Sequence, residues 1–159
     1  MIESSNFLHY LQKSGIEFFV GVPDSLLKNF CFYIEENVAE DLHVIAANEG
    51  NALAIAAGYY LEKRKPALVY LQNSGIGNAI NPLLSLTDKD VFGIPALLLV
   101  GWRGKPGTKD EPQHIKQGAV LTDLLKTLDI SYFILEDDSE FEKVIDKAIT
   151  HLDEYLKGK

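Results

Sequence analysis

The sequence predicts an α/β domain of three layers, in which helices cover both sides of a mostly parallel β-sheet. Short apolar runs alternate along the chain with amphipathic stretches, as expected of repeated strand–helix units. The runs are apolar almost throughout, which is typical of strands that are covered on both faces. At 159 residues and 47% hydrophobic content, the chain predicts one domain, residues 1–159, with its own core.

Five apolar runs are predicted as strands, because each is short and stops at Gly, Pro, Asn or a charged stretch. In chain order they are EFFVGVP, LHVIAA, ALVYLQN, ALLLVGW and SYFIL. The clearest helix follows the fifth run, in DSEFEKVIDKAITHLDEYL, where the apolar residues recur at helical spacing. Asp138 or Ser139 is expected to cap that helix at its N-terminus.

Composition excludes several classes of function. There are 15 basic and 23 acidic residues, and the net charge of −8 argues against binding of nucleic acid. The single cysteine, Cys31, allows neither a disulfide within the chain nor a CxxC zinc site, and suits a cytoplasmic protein. His9, His43 and His151 have no metal-ligand spacing to one another, so no metal site is predicted.

The sequence also predicts neither a signal peptide nor a membrane span. The N-terminus has an early acidic residue and no long apolar core. The longest charge-free run, residues 66–87, is interrupted by several amides and by Pro82. We therefore expect no membrane partner.

Polar loops follow four of the five predicted strands. They read GVPDSLLK, ANEGNA, QNSGIGNAINP and GWRGKPGTKDEPQH. The carboxyl ends of parallel strands meet at one edge of a sheet, where ligand crevices lie. We therefore expect these four loops to line a single crevice.

Glu49 has two interpretations. It follows Asn48, a good N-cap, and an acidic residue in the first turn favours the helix dipole. The helix that it opens is almost entirely apolar, so a partly desolvated carboxyl that transfers protons is the other interpretation.

The other polar loops are similarly ambiguous. The turn at Gln72, Asn73 and Gly75 could hold an anion at a helix N-terminus, but it lacks the GxGxxG and GxxxxGK[ST] spacings and could be a capped turn. Asp24 and Ser25 stand at a strand-to-helix corner, where an N-cap is the default interpretation.

Taken together, the four loops resemble the pyrimidine-binding domain of phosphonopyruvate decarboxylases, which are thiamine diphosphate enzymes. The matching motifs run in order over residues 21–118, and the flanks suit the same thiamine diphosphate-binding fold. Sulfopyruvate decarboxylases share this architecture and often divide it between two subunits. The stretches QNSGIGNAINP and KDEPQH favour the phosphonate enzyme.

The resemblance implies a role for each matching residue. Glu49 matches the glutamate that hydrogen-bonds N1′ of the cofactor's aminopyrimidine and so promotes deprotonation of the thiazolium ring. Asp24 and His114 match positions that handle protons on the reacting substrate and product. Gln72, Asn73 and Gly75 would line the pocket of the cofactor.

The resemblance also implies residues for the substrate. A phosphonate dianion needs cations or amides. Arg103 and Lys105 could supply the cations, with Lys109 as a further basic residue of the same loop. Arg103 is preferred because it lies closest to the strand end, and Ser25 and Asn73 would contact the substrate as well.

One departure from the family concerns the diphosphate end of the cofactor. In these enzymes a second domain binds the diphosphate and Mg²⁺ through a GDG motif followed by Asn-Asn, whereas this chain contains no Asp-Gly dipeptide. The resemblance therefore implies a half-enzyme that needs a diphosphate-binding partner domain or subunit and forms at least a homodimer.

The expected reaction is conversion of 3-phosphonopyruvate to phosphonoacetaldehyde and CO2, in 2-aminoethylphosphonate biosynthesis. Two alternatives remain. The first is the alpha subunit of a sulfopyruvate decarboxylase, and the second is a doubly wound binding module without catalytic activity.

Overall fold

A four-stranded parallel sheet forms the centre of the computed structural model, which describes residues 2–136 and 140–157. The strands are β1 (Phe19–Gly21), β2 (His43–Ile45), β3 (Ala67–Gln72) and β4 (Ala96–Gly101). The helices are α1 (Ser4–Lys13), α2 (Lys28–Asn37), α3 (Glu49–Lys63), α4 (Ile76–Pro82), α5 (Pro112–Thr127) and α6 (Phe141–Lys157). The last helix is thus confirmed, while its predicted caps, Asp138 and Ser139, lie outside the described residues.

The sheet lies between two layers of helices, which confirms the predicted three-layer fold. Along β3, Val69 and Leu71 face a core that they share with α3, α4 and α5. Leu68 and Tyr70 alternate with them and face a second core, formed with α1, α2 and α6. This alternation explains why β3 is apolar from Ala67 to Leu71, since both of its faces are buried there.

The strand order β2-β1-β3-β4 places a topological switch point between β1 and β3. From β1 the chain first crosses to β2 on one side and later reaches β3 on the other side. At such a switch point the loops that follow the two central strands diverge, and ligands of open α/β sheets bind there. Here these loops are the one after β1, which begins at Val22, and the one after β3, which begins at Asn73.

The prediction of a fifth strand at SYFIL is wrong. Residues 131–135 have no regular structure, and Phe133 and Ile134 line a cavity of about 540 Å³ to which Leu97 and Leu99 of β4 also contribute. Tyr132 packs against one core and Leu135 against the other. Side-chain packing thus accounts for the apolar run, and a run this short does not distinguish a strand from an anchored coil.

The outer strands are less covered than predicted. The residues of β4 up to Val100 are partly exposed, and Ile45 at the end of β2 is 54% exposed. Full burial on both faces therefore holds for β1 and for most of β3. In the part of the chain that the structure describes, no helix combines the length and the apolar character needed to cross a membrane.

Candidate active site

Glu49 is the first residue of α3, and its carboxylate lies against the turn that follows β3. The helix begins as predicted, because Asn48 Oδ1 accepts a hydrogen bond from the backbone N–H of Asn51 at 2.9 Å. Glu49 Oε2 accepts a hydrogen bond from Asn78 Nδ2 at 2.9 Å. A Cβ atom added at Gly75 would overlap Glu49 Oε1. The sequence motifs ANEGNA and QNSGIGNAINP therefore meet at this carboxylate.

The carboxylate of Glu49 is less buried than the apolar sequence of α3 suggested. Glu49 is partly exposed, and the core contacts of α3 come from residues further along it, such as Ala52 and Leu53. The outer face of the helix carries Ile55 and Leu61, which are 37% and 56% exposed. Apolar composition alone therefore overestimated the burial of Glu49.

Asp24, in the loop after β1, is 6% exposed. Its Oδ2 atom accepts a hydrogen bond from the backbone N–H of Leu26 at 2.9 Å, so Asp24 stabilises the turn before α2 rather than capping α2 itself. A Cβ atom at Gly101, the last residue of β4, would overlap Oδ2. Oδ1 is buried and has no hydrogen-bond partner among the described residues. Asp24 therefore combines a structural role with an unused acceptor.

Asn73 joins the loop after β3 to the loop after β4. It is 5% exposed, and its Nδ2 atom donates to the backbone carbonyl of Arg103 at 3.0 Å. Its Oδ1 atom accepts from the backbone N–H of the same residue, also at 3.0 Å. Beside it, Gln72 Nε2 donates to Ser74 Oγ at 2.6 Å and so holds the turn. Asn73 thus positions Arg103 through its backbone.

The guanidinium of Arg103 joins the same region to the loop after β1. Its Nε atom donates to Asp110 Oδ2 at 2.8 Å and its Nη2 atom to Asp110 Oδ1, while Nη1 donates to Ser25 Oγ at 2.6 Å. The hydrogen bonds to Asp110 raise the pKa of Arg103, and those from Arg103 hold the pKa of Asp110 well below its usual range. Arg103, which was predicted to bind the anionic end of the substrate, is therefore already paired with Asp110 within the chain.

His114 lies in the first turn of α5, and α5 packs closely on the loop after β4. A Cβ atom at Gly104 would overlap the carbonyl oxygen of His114, and one at Gly118 would overlap the carbonyl oxygen of Gly104. Trp102 Nε1 donates to the carbonyl of Gly118 at 2.9 Å. His114 Nδ1 is buried and has no hydrogen-bond partner among the described residues.

Lys105 does not join this set of contacts. Its ammonium group pairs with Glu136 and lies 5.5 Å from the ring centroid of Trp102. Lys109 is exposed. The structure therefore engages Lys105 elsewhere, and a substrate role for either lysine stays a prediction.

The contacts bring together most of the predicted residues. Hydrogen bonds join Arg103 directly to Ser25 and to Asn73. Glu49 contacts Gly75 in the turn that begins at Asn73, and the backbone of His114 contacts Gly104 in the loop after β4. The sequence did not single out Asp110 or Asn78, although they lie in the loop motifs GWRGKPGTKDEPQH and QNSGIGNAINP. Asp110 stands just before Pro112 at a helix start, and there an acidic residue is ordinarily interpreted as a cap.

These residues fit the pyrimidine end of a thiamine cofactor. A carboxylate of a partly exposed residue at a helix N-terminus, held by an amide, can accept or share a proton with a ring nitrogen. Buried polar atoms without partners are uncommon in folded proteins, and Asp24 Oδ1 and His114 Nδ1 are two such atoms beside the same loops. Both are of the type that a bound ligand could satisfy.

Comparison with known proteins supports this interpretation. Residues 4–145 match the family model of the thiamine pyrophosphate enzyme, N-terminal TPP binding domain. The phosphonopyruvate decarboxylase of Streptomyces hygroscopicus is 38% identical over 137 residues, which are 86% of this chain and 33% of that protein. The sulfopyruvate decarboxylase subunit alpha of Methanocaldococcus jannaschii is 36% identical over 143 residues, which are 89% of this chain and 81% of that subunit.

Solved structures give the same fold. The thiamine diphosphate-dependent 4-hydroxybenzoylformate decarboxylase of Rhodococcus jostii RHA1 aligns with a TM-score of 0.62 and 22% identity, over 94% of this chain and 27% of that one. The chain spans about a third of the phosphonopyruvate decarboxylases that it matches. By its sequence and its fold, the chain belongs to the thiamine pyrophosphate enzymes, as a member of the family of their N-terminal TPP-binding domains.

Proposed function

We propose that the chain is the pyrimidine-binding half of a thiamine diphosphate-dependent decarboxylase of 2-oxo acids, with 3-phosphonopyruvate as substrate and phosphonoacetaldehyde and CO2 as products. The observation that carries the proposal is the Glu49 carboxylate, which is held by Asn78 and rests against Gly75. When bound, the cofactor supplies a thiazolium ring that acts as the electron sink for loss of CO2. Identity to the Streptomyces hygroscopicus enzyme supports the choice of substrate.

Each residue of the chain has a limited task in this proposal. Glu49 holds a proton at N1′ of the aminopyrimidine, while Gln72, Asn73 and Gly75 shape the turn on which the ring rests. Asp24 Oδ1 and His114 Nδ1 exchange protons with the substrate and product, because both are buried and without a partner among the described residues. Arg103 and Ser25 orient the anionic end of the substrate.

The proposal includes a partner. The diphosphate and its Mg²⁺ would be held by a second domain or subunit, in keeping with relatives that are named as alpha subunits. We further propose that the chain forms at least a homodimer. Support comes from the exposed apolar side chains of Ile55 and Leu61 on α3 and of Leu84 in the turn that packs against α3. Light scattering on the concentrated protein would test this, and a monomer at every concentration would contradict it.

A second substrate, 3-sulfopyruvate, has specific support. Arg103 and Lys105 both pair with carboxylates of this chain, which lowers the positive charge that a phosphonate dianion would require. The chain also covers 81% of the Methanocaldococcus jannaschii subunit, at 36% identity. A sulfonate carries less negative charge near neutral pH than a phosphonate, so it suits these compensated cations better.

Reconstitution tests the proposal. The 159-residue chain is combined with a diphosphate-binding half, thiamine diphosphate and Mg²⁺, and CO2 release is measured from both substrates. We expect release that depends on both halves. Substantial turnover by the chain alone would contradict the half-site, and no turnover of either substrate by the assembled enzyme would favour the non-catalytic binding module instead.

A further inference from the structure

Asp110 accepts four hydrogen bonds from the loop that it closes. Oδ2 accepts from Arg103 Nε at 2.8 Å and from the backbone N–H of Gly104 at 2.7 Å. Oδ1 accepts from Arg103 Nη2 and from the backbone N–H of Glu111 at 2.8 Å. A carboxylate offers about four lone-pair sites, so Asp110 is saturated within its own loop. Its side chain is 13% exposed, which shields the ion pair from solvent.

The contacts with Asp110 and Ser25 use only part of the hydrogen-bonding capacity of the Arg103 guanidinium. A guanidinium has five N–H groups, and three of those on Arg103 donate to Asp110 and Ser25. The other two have no hydrogen-bond partner among the described residues, and the positive charge is balanced by Asp110. Arg103 can therefore donate hydrogen bonds to an anion without adding net charge to the crevice.

The other charges of the four loops do not restore a positive balance. Lys105 pairs with Glu136, and its side chain is 34% exposed. Lys28 and Lys109 are exposed, where solvent screens their charges, and the exposed Glu111 offsets one of them. Asp24 and Glu49 bring two carboxyl groups to the same strand ends. With Arg103 neutralised, the described residues that line this edge of the sheet offer little net attraction for a dianion.

We infer that Asp110 positions Arg103 and balances its charge, so that a dianionic phosphonate binds less well, relative to a monoanionic sulfonate, than it would beside an unpaired arginine. The inference rests on the proposed function, because the two anions are those of the proposed substrates. Asn73 fixes the backbone of Arg103, Ser25 fixes one end of its guanidinium, and Asp110 fixes the other end and supplies the balancing charge.

The test is the ratio of kcat/KM for 3-phosphonopyruvate to kcat/KM for 3-sulfopyruvate in the assembled enzyme. Asp110→Asn removes one negative charge beside Arg103, and we expect the ratio to rise by at least about fivefold, as one unit of charge a few ångströms from the anion requires. Asp110→Ser gives a second neutral side chain if Asp110→Asn folds poorly. Asp110→Glu keeps the charge and should leave the ratio close to that of the unaltered enzyme.

A matched control is available in the next residue. Glu111→Gln removes the same charge from an exposed side chain, and we expect it to change the ratio less than twofold, because solvent screens exposed charges. A loop that had merely loosened would lower turnover of both substrates together. An unchanged ratio in an active, folded Asp110→Asn enzyme would overturn the inference, as would an equal rise with Glu111→Gln.

A binding experiment separates this inference from the proposed function. Methylphosphonate and methanesulfonate are titrated into the 159-residue chain and followed by the NMR signal of Arg103 Nε–H. We expect Asp110→Asn to tighten methylphosphonate binding at least about fivefold relative to methanesulfonate. Absence of turnover with both substrates would refute the proposed function alone, whereas an unchanged preference between the two probes would refute the role of Asp110.

Discussion

The Glu49 carboxylate lies so close to Gly75 that a single methyl group on Gly75 would overlap Oε1. Glu49 begins α3 and Gly75 ends the short turn after β3, so the contact joins two elements that follow different strands. Asn78 holds the other carboxylate oxygen from the first turns of α4. The orientation of this carboxylate is therefore set by the absence of a side chain at Gly75 as much as by its hydrogen bond.

Substitution Gly75→Ala should displace the Glu49 carboxylate. The added methyl group would meet the end of a flexible side chain, which can move at little cost to the fold. We expect kcat of the assembled enzyme to fall about 100-fold, because displacement of a catalytic group by about 1 Å can cost that much. The free energy of unfolding should change much less, and both quantities can be measured on the same protein.

Gly77→Ala is the matched control for this experiment. Gly77 lies in the helix that follows, and a Cβ atom there meets nothing within 4 Å. We expect activity to be retained and helix stability to rise slightly, since Ala is the better helix former. Comparable losses of kcat in both variants would show that the turn tolerates no alanine at all, and the contact with Glu49 would then lose its support.

Replacement of Glu49 itself should remove proton transfer while keeping the shape of the site. In Glu49→Gln the amide can still accept from Asn78, so the fold and the contact with Gly75 should persist. We expect kcat to fall by about 10²–10⁴-fold, the usual contribution of a general acid or base. Circular dichroism would check the fold, and decarboxylation assays would check the rate.

Glu62→Gln serves as the control on the same helix. Glu62 is exposed near the end of α3 and pairs with Lys63 at 3.8 Å. Its replacement should leave kcat within about twofold, because exposed ion pairs contribute little. Normal turnover by Glu49→Gln would end the assignment of Glu49 as the proton-transfer residue.

Local patterns in the sequence predicted the parts of the fold that local physics determines. The N-cap Asn48 and the apolar runs of β1 and β3 could be recognised because capping and burial leave marks within a few residues. The meeting of the polar loops followed from the strand–helix order, since parallel strands bring their carboxyl ends to one edge. The resemblance of the four loops then identified the family.

Contacts between distant residues could not be predicted in the same way. Asn73 and Arg103 lie 30 positions apart, and nothing in either loop shows that one amide will bond both backbone groups of the other residue. The role of Asp110 could not be recognised, because an acidic residue just before a helix is ordinarily attributed to interaction with the helix dipole. The SYFIL run was misassigned because packing of its side chains, without a strand ladder, produces the same apolar pattern.

Gly104→Ala should open the loop that carries Arg103. Gly104 has a φ of +66°, and a Cβ atom there would overlap the carbonyl oxygen of His114, which belongs to the backbone of α5. Backbone cannot move aside as a side chain can, so we expect the free energy of unfolding to drop by about 2 kcal/mol or more. Denaturant unfolding would measure the change.

Gly107→Ala separates the destabilisation caused by a positive φ from that caused by the close contact of Gly104 with α5. Gly107 also has a positive φ, +86°, but a Cβ atom there meets nothing within 4 Å. Its replacement should cost about 1 kcal/mol, from backbone strain alone. If the two variants were equally destabilised, the close packing of Gly104 on α5 would contribute nothing measurable, and the loop would not be held there as described.

The stability of the fold should depend on pH through His43. Its Nε2 atom is hydrogen-bonded to the hydroxyl of Tyr70 at 2.8 Å, and burial lowers the pKa of His43. Burial also raises the pKa of Tyr70, whose side chain is fully buried, so the pair stays neutral around neutral pH. A histidine with a lowered pKa binds its proton more readily in the unfolded chain than in the folded one. Its contribution to stability is therefore present above about pH 6.5, the unfolded value, and is lost as the pH falls below it.

We expect the free energy of unfolding to decrease from about pH 8 to about pH 5 by more in the unaltered chain than in His43→Gln. Glutamine can still hydrogen-bond Tyr70 but does not titrate, so the difference between the two curves isolates His43. His9→Gln is the control, because His9 is an exposed residue of α1, and its curve should follow that of the unaltered chain. Parallel curves for His43→Gln and the unaltered chain would mean that protonation of His43 is not coupled to folding.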